Sequence, residues 1–310
     1  MGPTASGKSA VAVELVRALP CEIISVDSAQ VYRHMNIGTA KPDAQTLKAA
    51  PHHLIDVIEP DDRFSAARFR DDALTLMREI TERGNIPLLV GGTMMYFKTL
   101  LEGLSELPEA DPAIRMVIDT MAEESGWPAL HKELAKVDPE TAARLEPNDS
   151  QRVQRALEVY YITSKPMSLL QKKPKYVYFP YTPLKIALLP DDRSALHDRI
   201  ATRFETMLEM GLIGELRKLR ADYALDLDMP SMRCVGYRQT WDYLDGKIGL
   251  ASLREQGIAA TRQLAKRQLT WLRAMKEVAE FDCLAEDMSE QVLAHLRQHL
   301  PGKTATAGER

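Results

Sequence analysis

The first residues of the chain carry a spacing that binds phosphate. Residues 2–9, Gly-Pro-Thr-Ala-Ser-Gly-Lys-Ser, match the pattern G-x-x-x-x-G-K-[ST]. In this arrangement backbone N–H groups surround a diphosphate, while the lysine and the last hydroxyl reach its outer oxygens and a magnesium ion. A helix predicted over Ala10–Leu19 would place its positive end at the same point. The pattern therefore predicts a phosphorylated small-molecule ligand, with Lys8 and Ser9 as its contacts.

An aspartate and a threonine follow two predicted strands, Glu22–Val26 and Ile86–Val90. Asp27 comes directly after the first strand, and Gly91-Gly92-Thr93 follows the second. In an open α/β sheet, these strand ends face the same crevice as the phosphate loop. Asp27 could hold magnesium through water, accept a proton as a general base, or only cap a turn. The hydroxyl of Thr93 could face the crevice or only stabilise a turn. An ordinary ATPase would carry an acidic residue at the end of this strand, where the present sequence has Gly91-Gly92-Thr93.

Several acidic and histidine pairs resemble metal sites but lack the required spacing. The pairs Asp61-Asp62, Asp71-Asp72 and Asp191-Asp192 have no acid at the fifth position of a D-D-x-x-D cluster. We interpret them as helix-start charges and solvated faces. His52-His53 has no spaced metal partner, and we interpret it as structural.

Two stretches are basic although the whole chain is acidic. They contain Arg152 and Arg155 in the first, and Arg262, Lys266, Arg273 and Lys276 in the second. At helical spacing the first pair lies away from an apolar seam, and the second set lies opposite Leu264, Trp271 and Val278. A stripe of this kind can follow a phosphate backbone, although a solvated helix face is the open alternative.

The elements that must position these residues alternate between strand and helix, which indicates a parallel sheet. Further predictions are a short strand at Leu54–Val57, a strand at Leu184–Leu189 that returns to the sheet, and a helix over Leu253–Glu280. The predicted class is α/β, a P-loop NTPase-like parallel sheet core flanked by helices, with an inserted all-helical domain. Only Met1 precedes Gly2, so the strand that should aim the phosphate loop is expected to be missing from this sequence.

The domain boundaries follow from this alternation. We expect a P-loop core domain at 1–110 and 183–300, a helical insertion at 111–182, and a disordered tail at 301–310 rich in small and polar residues. The net charge of −4 argues against nucleic acid only if charge is spread evenly. No apolar run is long enough to span a membrane, and no leader is found. The three cysteines form no cluster, so zinc and disulfides are not expected and a reducing cytoplasm fits.

Together, these segments resemble the bacterial tRNA dimethylallyltransferase family. The resemblance rests on the phosphate loop, Asp27–Tyr32 continuing to Gly38–Pro42, the Gly91-Gly92-Thr93 turn, and the helical stretch QRVQRALEV. It also rests on Arg233-Cys234-Val235-Gly236-Tyr237-Arg238 and on the stretch KRQLTWLR, in the same order along nearly the whole chain. The resemblance implies transfer of a five-carbon allyl group from dimethylallyl diphosphate to the exocyclic amine of the adenosine 3′ of the anticodon.

The resemblance also implies roles for individual residues. Asp27 would accept a proton, Thr93 would bond near the diphosphate or the amine, and Lys8 would neutralise the leaving group. The diphosphate would be held by Gly2, Pro3, Thr4, Ala5, Ser6, Gly7, Lys8, Ser9 and Arg203, with Ser9 also on Mg²⁺. The tRNA anticodon stem-loop would contact Asp27, Ser28, Ala29, Gln30, Thr93, Arg115, Gln151, Arg152, Val153, Gln154, Arg155, Arg233, Cys234, Val235, Gly236, Tyr237, Arg238, Lys266, Arg267, Gln268, Leu269, Thr270, Trp271, Leu272 and Arg273. The protein is expected to act as a monomer away from membranes.

Two other functions share the phosphate loop. A small-molecule or nucleotide kinase would need ATP and a lid of arginines, which the helical insertion could supply. An RNA-binding switch protein that hydrolyses GTP would need an N-K-x-D motif, and the sequence has none. The Gln/Arg helix and the distant basic stripe favour an extended RNA over either alternative.

Overall fold

A parallel sheet brings the ends of two strands together at one edge. Strand β1 (Cys21–Val26) lies between β2 (His52–His53) and β3 (Ile86–Gly91). Val26 lies opposite Gly91, so the residues that follow β1 and β3 emerge side by side. Most of β1 is buried because its apolar side chains meet helices on the sheet surface. This register places Asp27 beside Gly92 and Thr93.

The computed structural model describes residues 1–105, 107–172 and 179–300. The chain forms two compact units: unit 1 contains Met1–Leu100 and Pro180–Arg310, and unit 2 contains Leu101–Phe179. The predicted disordered tail, 301–310, lies outside the described residues. The predicted insertion at 111–182 overlaps unit 2, although part of its C-terminal stretch also lies outside them.

Helices make up most of the regular structure in these ranges. In chain order they are α1 (Lys8–Ala18), α2 (Ala44–Ala49), α3 (Ala66–Glu82), α4 (Met94–Glu102), α5 (Pro112–Ser125), α6 (Trp127–Val137), α7 (Pro139–Ala142), α8 (Ser150–Thr163), α9 (Met167–Gln171), α10 (Arg193–Glu209), α11 (Leu212–Asp222), α12 (Tyr237–Leu244), α13 (Leu250–Ala274) and α14 (Met288–His299). Several begin at an aspartate whose side chain accepts a backbone N–H, including Asp192 at α10, which confirms that pair as a helix start. None of the helices in the described ranges is long and apolar enough to cross a bilayer.

A second parallel pair of strands lies in unit 1. Strand β4 (Lys185–Leu189) runs beside β5 (Val278–Asp282). Met1 lies along β4, because its amino nitrogen donates to Ile186 O at 2.8 Å and its carbonyl accepts from Leu188 N at 2.9 Å. The phosphate loop therefore starts beside β4, and Met1 holds the place where a preceding strand was expected.

Three sequence predictions of elements were wrong. The strand predicted at Leu184–Leu189 does not return to the sheet of β1 but pairs with β5 in a separate two-stranded sheet. The predicted helix over Leu253–Glu280 ends at Ala274, and the residues after it form β5, because pairing with β4 overrides their local preference. The predicted strand at Leu54–Val57 does not form, since Leu54 and Asp56 have positive φ angles of 62° and 56°. Strand β2 lies just before them.

Unit 2 has its own apolar core between helices. Its buried side chains come from α5 to α9 and include Ile118, Leu130, Leu157 and Leu170. The described residues of this unit that form regular structure are helical, because their apolar positions repeat every three to four residues. Unit 2 therefore needs no sheet to bury its apolar surface.

Candidate active site

The phosphate loop turns tightly into α1. Gly7 has a φ of 78°, a conformation that side chains disfavour, and Ala5 also has a positive φ of 64°. The Lys8 ammonium folds back and donates to Pro3 O at 2.5 Å. The buried hydroxyl of Ser6 has no hydrogen-bond partner among the described residues. This shape leaves the N-terminus of α1 open toward a cavity, as an anion site requires.

Two cations lie close together beside this loop. Burial and, second, the neighbouring Arg203 guanidinium lower the pKa of Lys8 to about 8. Burial also lowers the pKa of Arg203, while the negative charge of Asp27 acts in the opposite direction. Within the described ranges, neither Lys8 nor Arg203 forms an ion pair. An anionic ligand would relieve the repulsion between them, because its charge would replace the missing partner.

Asp27, Ser28 and Thr93 meet at the other side of the cavity. Asp27 Oδ1 accepts hydrogen bonds from Ala29 N at 2.9 Å and from Gln30 N at 3.3 Å. Thr93 Oγ1 accepts from Ser28 N at 3.0 Å and donates to Ser28 Oγ at 3.3 Å. Asp27 thus caps a turn, which was one of the three roles considered for it from the sequence. No described residue donates a hydrogen bond to its other carboxylate oxygen, Oδ2. That second oxygen is available to a proton or a cation.

A cavity of about 670 Å³ joins the phosphate side to the Asp27 side. Its lining contains Gly7, Lys8, Ser9, Arg203, Asp27 and Thr93 together with residues 28–30 and 38–40. Sequence positions from both ends and the middle of the chain therefore meet around one space. A group bound at the phosphate loop can reach an acceptor beside Asp27 within this space.

The predicted stretch Arg233–Arg238 divides between the cavity and the core. Arg233, Cys234 and Val235 line the cavity, whereas Tyr237 is fully buried. Burial and then the charge of Asp27 raise the pKa of the Cys234 thiol to about 12, so this thiol stays protonated near neutral pH. Tyr237 instead donates to Glu215 Oε1 at 2.5 Å.

Glu215 fixes the loop that forms one wall of the cavity. Its carboxylate accepts backbone hydrogen bonds from Asn36, Ile37 and Gly38 at 2.9, 2.8 and 3.2 Å. A Cβ on Gly38 would lie 2.5 Å from the Tyr237 ring, so only glycine fits there. Glu215 was not predicted from the sequence, because one glutamate on an amphipathic helix carries no signal of its distant partners.

Helix α13 presents a mixed face to the cavity. The lining residues from this helix are Thr261, Leu264, Arg267, Gln268 and Trp271. The three apolar residues expected to pack opposite the basic residues of this helix therefore do not lie on one buried face. Leu264 and Trp271 face the cavity, and Val278 belongs to β5. Lys266, Thr270 and Arg273 are exposed, whereas Leu269 and Leu272 are buried.

In unit 2, the predicted arginines differ in their surroundings. Arg115 and Arg155 both pair with Glu158, whose side chain is fully buried, at 2.8 and 2.6 Å. Arg152 is exposed and pairs with Asp149. Gln151 is exposed, Gln154 donates to Asp119, and Val153 lies in the core. Gln151 and Arg152 are thus the more accessible of the polar side chains predicted on this helix.

The described residues contain no group of three acidic, histidine or cysteine side chains able to hold a metal alone. His53 bonds to Glu22 at 3.0 Å, which supports the structural interpretation of the histidine pair. Ser9 and Asp27 both line the cavity and offer oxygen atoms. A magnesium ion commonly takes one or two protein oxygens and completes its shell with phosphate and water.

The chain is similar to known proteins in both sequence and structure. Residues 30–275 match the family model described as IPP transferase. A tRNA dimethylallyltransferase of Nitrosospira multiformis is 63% identical over 296 residues, covering 96% of this chain and 92% of that protein. A tRNA dimethylallyltransferase of Thiobacillus denitrificans is 59% identical, covering 97% of this chain and 96% of that protein.

The solved structures agree with the sequence relatives. The tRNA isopentenylpyrophosphate transferase of Bacillus halodurans superposes with a TM-score of 0.70 at 38% identity, covering 96% of this chain and 94% of that chain. A eukaryotic dimethylallyltransferase acting on tRNA superposes with a TM-score of 0.79 at 27% identity, covering 96% and 77%. The core is thus the P-loop NTPase-like fold with a parallel sheet, as predicted from the sequence. Because the family model matches residues 30–275 and the relatives are this similar along nearly the whole length, the chain belongs to the IPP transferase family of tRNA dimethylallyltransferases.

Proposed function

We propose that this protein transfers a dimethylallyl group from dimethylallyl diphosphate to the exocyclic amine of the adenosine 3′ of the anticodon in tRNA. The observation that carries the proposal is one cavity with two chemically different sides. Lys8 and Arg203 form a cationic side at the phosphate loop, and Asp27 with Thr93 forms an acceptor side. The relatives named above carry the same activity in their names.

The donor side stabilises the leaving group. As the carbon–oxygen bond of the allyl diphosphate breaks, negative charge grows on the departing diphosphate. Loop N–H groups, Lys8 and Arg203 neutralise this charge where it develops. The loop residues Gly2–Ser9 thus act on a leaving group instead of on a phosphate that is itself transferred.

The acceptor side activates the amine. The adenosine nitrogen forms the new carbon–nitrogen bond, and Asp27 takes the proton that this nitrogen loses. Thr93, fixed by Ser28, orients the amine or the adjacent diphosphate. The target base leaves its stack in the anticodon loop to enter the cavity, where Ser28, Ala29 and Gln30 meet it.

A magnesium ion fits the oxygen donors that line the cavity. Ser9 and the second oxygen of Asp27 are hard oxygen donors that line the cavity, which suits Mg²⁺. When bound, the ion would neutralise diphosphate charge. Ser9 is its proposed ligand, and Asp27 keeps the role of base.

The RNA is proposed to contact three basic regions. These are Gln151–Arg155 with Arg115 in unit 2, Arg233–Arg238 at the start of α12, and Lys266–Arg273 on α13. Arg152, Lys266 and Arg273 expose their charges and are the main phosphate contacts. Arg115 and Arg155 act mainly by holding Glu158. Core side chains support the three RNA-contacting regions from below; they are Val153, Tyr237, Leu269 and Leu272. The enzyme is proposed to work as a monomer in the cytoplasm.

Incubation with labelled dimethylallyl diphosphate, bulk tRNA and magnesium tests the proposal. Label should enter the RNA, and Lys8→Ala should slow its entry. A parallel incubation with γ-labelled ATP tests the kinase alternative. Phosphate transfer without allyl transfer would replace the proposal with that alternative.

A further inference from the structure

The side chain of Gln268 bridges the two sides of the cavity. Its Oε1 accepts a hydrogen bond from Thr4 N at 2.8 Å, and its Nε2 donates to Gly92 O at 2.9 Å. The side chain is buried, with 9% of the residue exposed. Thr4 belongs to the phosphate loop, and Gly92 directly precedes Thr93. One amide on α13 therefore connects the donor side to the acceptor side.

The two partners require an amide in a single orientation. A backbone N–H can only donate, and a backbone carbonyl can only accept. The bridging side chain must therefore hold an acceptor and a donor on one planar end, as glutamine does. The ionised carboxylate of a glutamate at this position would turn an oxygen toward Gly92 O. The thioether of a methionine would leave the buried N–H of Thr4 unpaired.

The backbone at Gly92 is shaped for this contact. A Cβ on Gly92 would lie 2.4 Å from Gln268 Nε2, closer than atoms can approach. The absence of a side chain at this position lets the amide reach the carbonyl beside Thr93. Gly92 thus admits the amide of α13.

We propose that Gln268 is a positioning residue, which sets the distance and orientation between the phosphate loop and the Thr93–Asp27 side. This inference rests on the proposed function. The sequence predicts Gln268 as an RNA contact, but its side chain is directed to Thr4 and Gly92. Loss of the bridge should slow group transfer while RNA binding stays intact, because small misplacements of reacting groups are costly.

The first test compares Gln268→Met with Gln263→Met, an exposed glutamine on the same helix. Gln268→Met should lower kcat by about 10 to 100-fold, with the tRNA Kd unchanged to within about twofold. Gln263→Met should match the wild type. A folded Gln268→Met variant with the kcat of the wild type would overturn the positioning role of Gln268. A loss of tRNA affinity as large as the loss of kcat would overturn it as well.

The second test uses pH and holds even where Gln268→Met fails to fold. A protonated glutamic acid has one O–H donor and one carbonyl acceptor, so it can replace the amide. Burial raises the pKa of such a carboxyl group toward neutrality. The kcat of Gln268→Glu divided by that of the wild type should therefore rise several-fold from pH 8.5 to about pH 6.

The same ratio for Gln268→Met should stay flat. A flat ratio for folded Gln268→Glu would show that hydrogen bonding by this side chain does not limit transfer. Thermal melting at each pH separates this result from unfolding. Wild-type protein that transfers no allyl group at any pH would refute the proposed function instead.

Discussion

Lys8 and Arg203 show how single residues prepare the cavity for an anion. These two neighbouring cations repel each other, and the charge of Asp27, which forms no ion pair with either of them, offsets this repulsion only in part. The pKa of Lys8 is about 8, so a fraction of this side chain is neutral in the free protein near neutral pH. A bound diphosphate would favour its charged form.

The ionisation of Lys8 gives a pH dependence of donor binding. The charged form holds the diphosphate, so affinity for dimethylallyl diphosphate should be greatest below pH 8 and fall as pH rises above it. Calorimetric titration across this range measures the change. Lys8→Ala should lose about 1.5 to 3 kcal/mol of binding free energy and most of this dependence.

The exposed Lys48→Ala variant is the matched control and should bind the donor as the wild type does. Equal affinity of wild type and folded Lys8→Ala would remove the loop lysine from the mechanism.

Asp27→Asn separates the two chemical roles of the carboxylate. Asparagine keeps the oxygen that caps the turn but cannot take a proton, so turnover should fall by about 10² to 10⁴-fold with near-normal tRNA affinity. Single-turnover transfer at several magnesium concentrations provides the measurement. Rescue by high magnesium would assign Asp27 to the metal and reject it as the base.

Residues of the site differed in how well the sequence predicted them. The phosphate loop lies within eight consecutive positions, and Asp27 and Thr93 follow strands whose ends must meet. The backbone partners of Glu215 and both partners of Gln268 lie more than 170 positions away, and no local pattern indicates such a contact. Periodicity also could not tell whether Leu264 and Trp271 face a core or a cavity.

At the scale of elements, β1, β2 and α3 are joined by a polar network around Glu22. Its carboxylate accepts from Arg83 at 2.7 and 3.0 Å, from Asn85 at 2.8 Å, and bonds to His53. These hydrogen bonds, that of Arg83 foremost, lower the pKa of Glu22 from 4.5 to about 2. The side chain is 21% exposed, so solvent only partly screens the network.

This network predicts acid sensitivity of the fold. The folded state lowers the pKa of Glu22, so the ionised carboxylate stabilises the fold. Its contribution to the free energy of unfolding is present above pH 4.5 and is lost as pH falls toward 2. Because the Arg83 side chain is about half exposed, solvent screening reduces this contribution to about 1 to 2 kcal/mol. Urea unfolding from pH 6 to pH 2 should show a steeper loss for the wild type than for Glu22→Gln.

The exposed pair of Glu14 and Arg17 supplies the control, and Glu14→Gln should follow the wild-type curve. Identical slopes for wild type and Glu22→Gln would mean that the network contributes no stability.

Elements were predicted where their pattern is local and missed where tertiary pairing decides. Strands β1 and β3 are short apolar runs ended by glycine or aspartate, and both were predicted nearly to the residue. Strand β5 was assigned to a helix, because Val278–Asp282 acquires its extended form only beside β4.

At the scale of the whole molecule, a chain with a net charge of −4 must bind a polyanion through local surfaces. Arg152 on α8 and the pair Lys266 and Arg273 on α13 are exposed. Removing one side chain that binds a phosphate of a single-stranded segment should reduce the salt slope of tRNA binding by about 0.7. Arg152→Ala and Lys266→Ala/Arg273→Ala should therefore weaken tRNA binding while donor affinity stays unchanged.

Lys136 forms an exposed pair with Glu133 three residues away, as Arg152 does with Asp149, so Lys136→Ala is the matched control. Its salt slope should equal that of the wild type. Slopes unchanged in both test variants would identify these surfaces as solvated helix faces that do not contact RNA.

The central claim is that one cavity joins an allyl diphosphate to a single tRNA adenosine. The most direct measurement is single-turnover transfer from labelled dimethylallyl diphosphate to unmodified tRNA, followed by digestion and identification of the labelled nucleoside by mass spectrometry. We expect label on the exocyclic amine of the adenosine 3′ of the anticodon, with a strong loss of label for Asp27→Asn. Label on another nucleoside, or none in the RNA while the donor is hydrolysed, would contradict it.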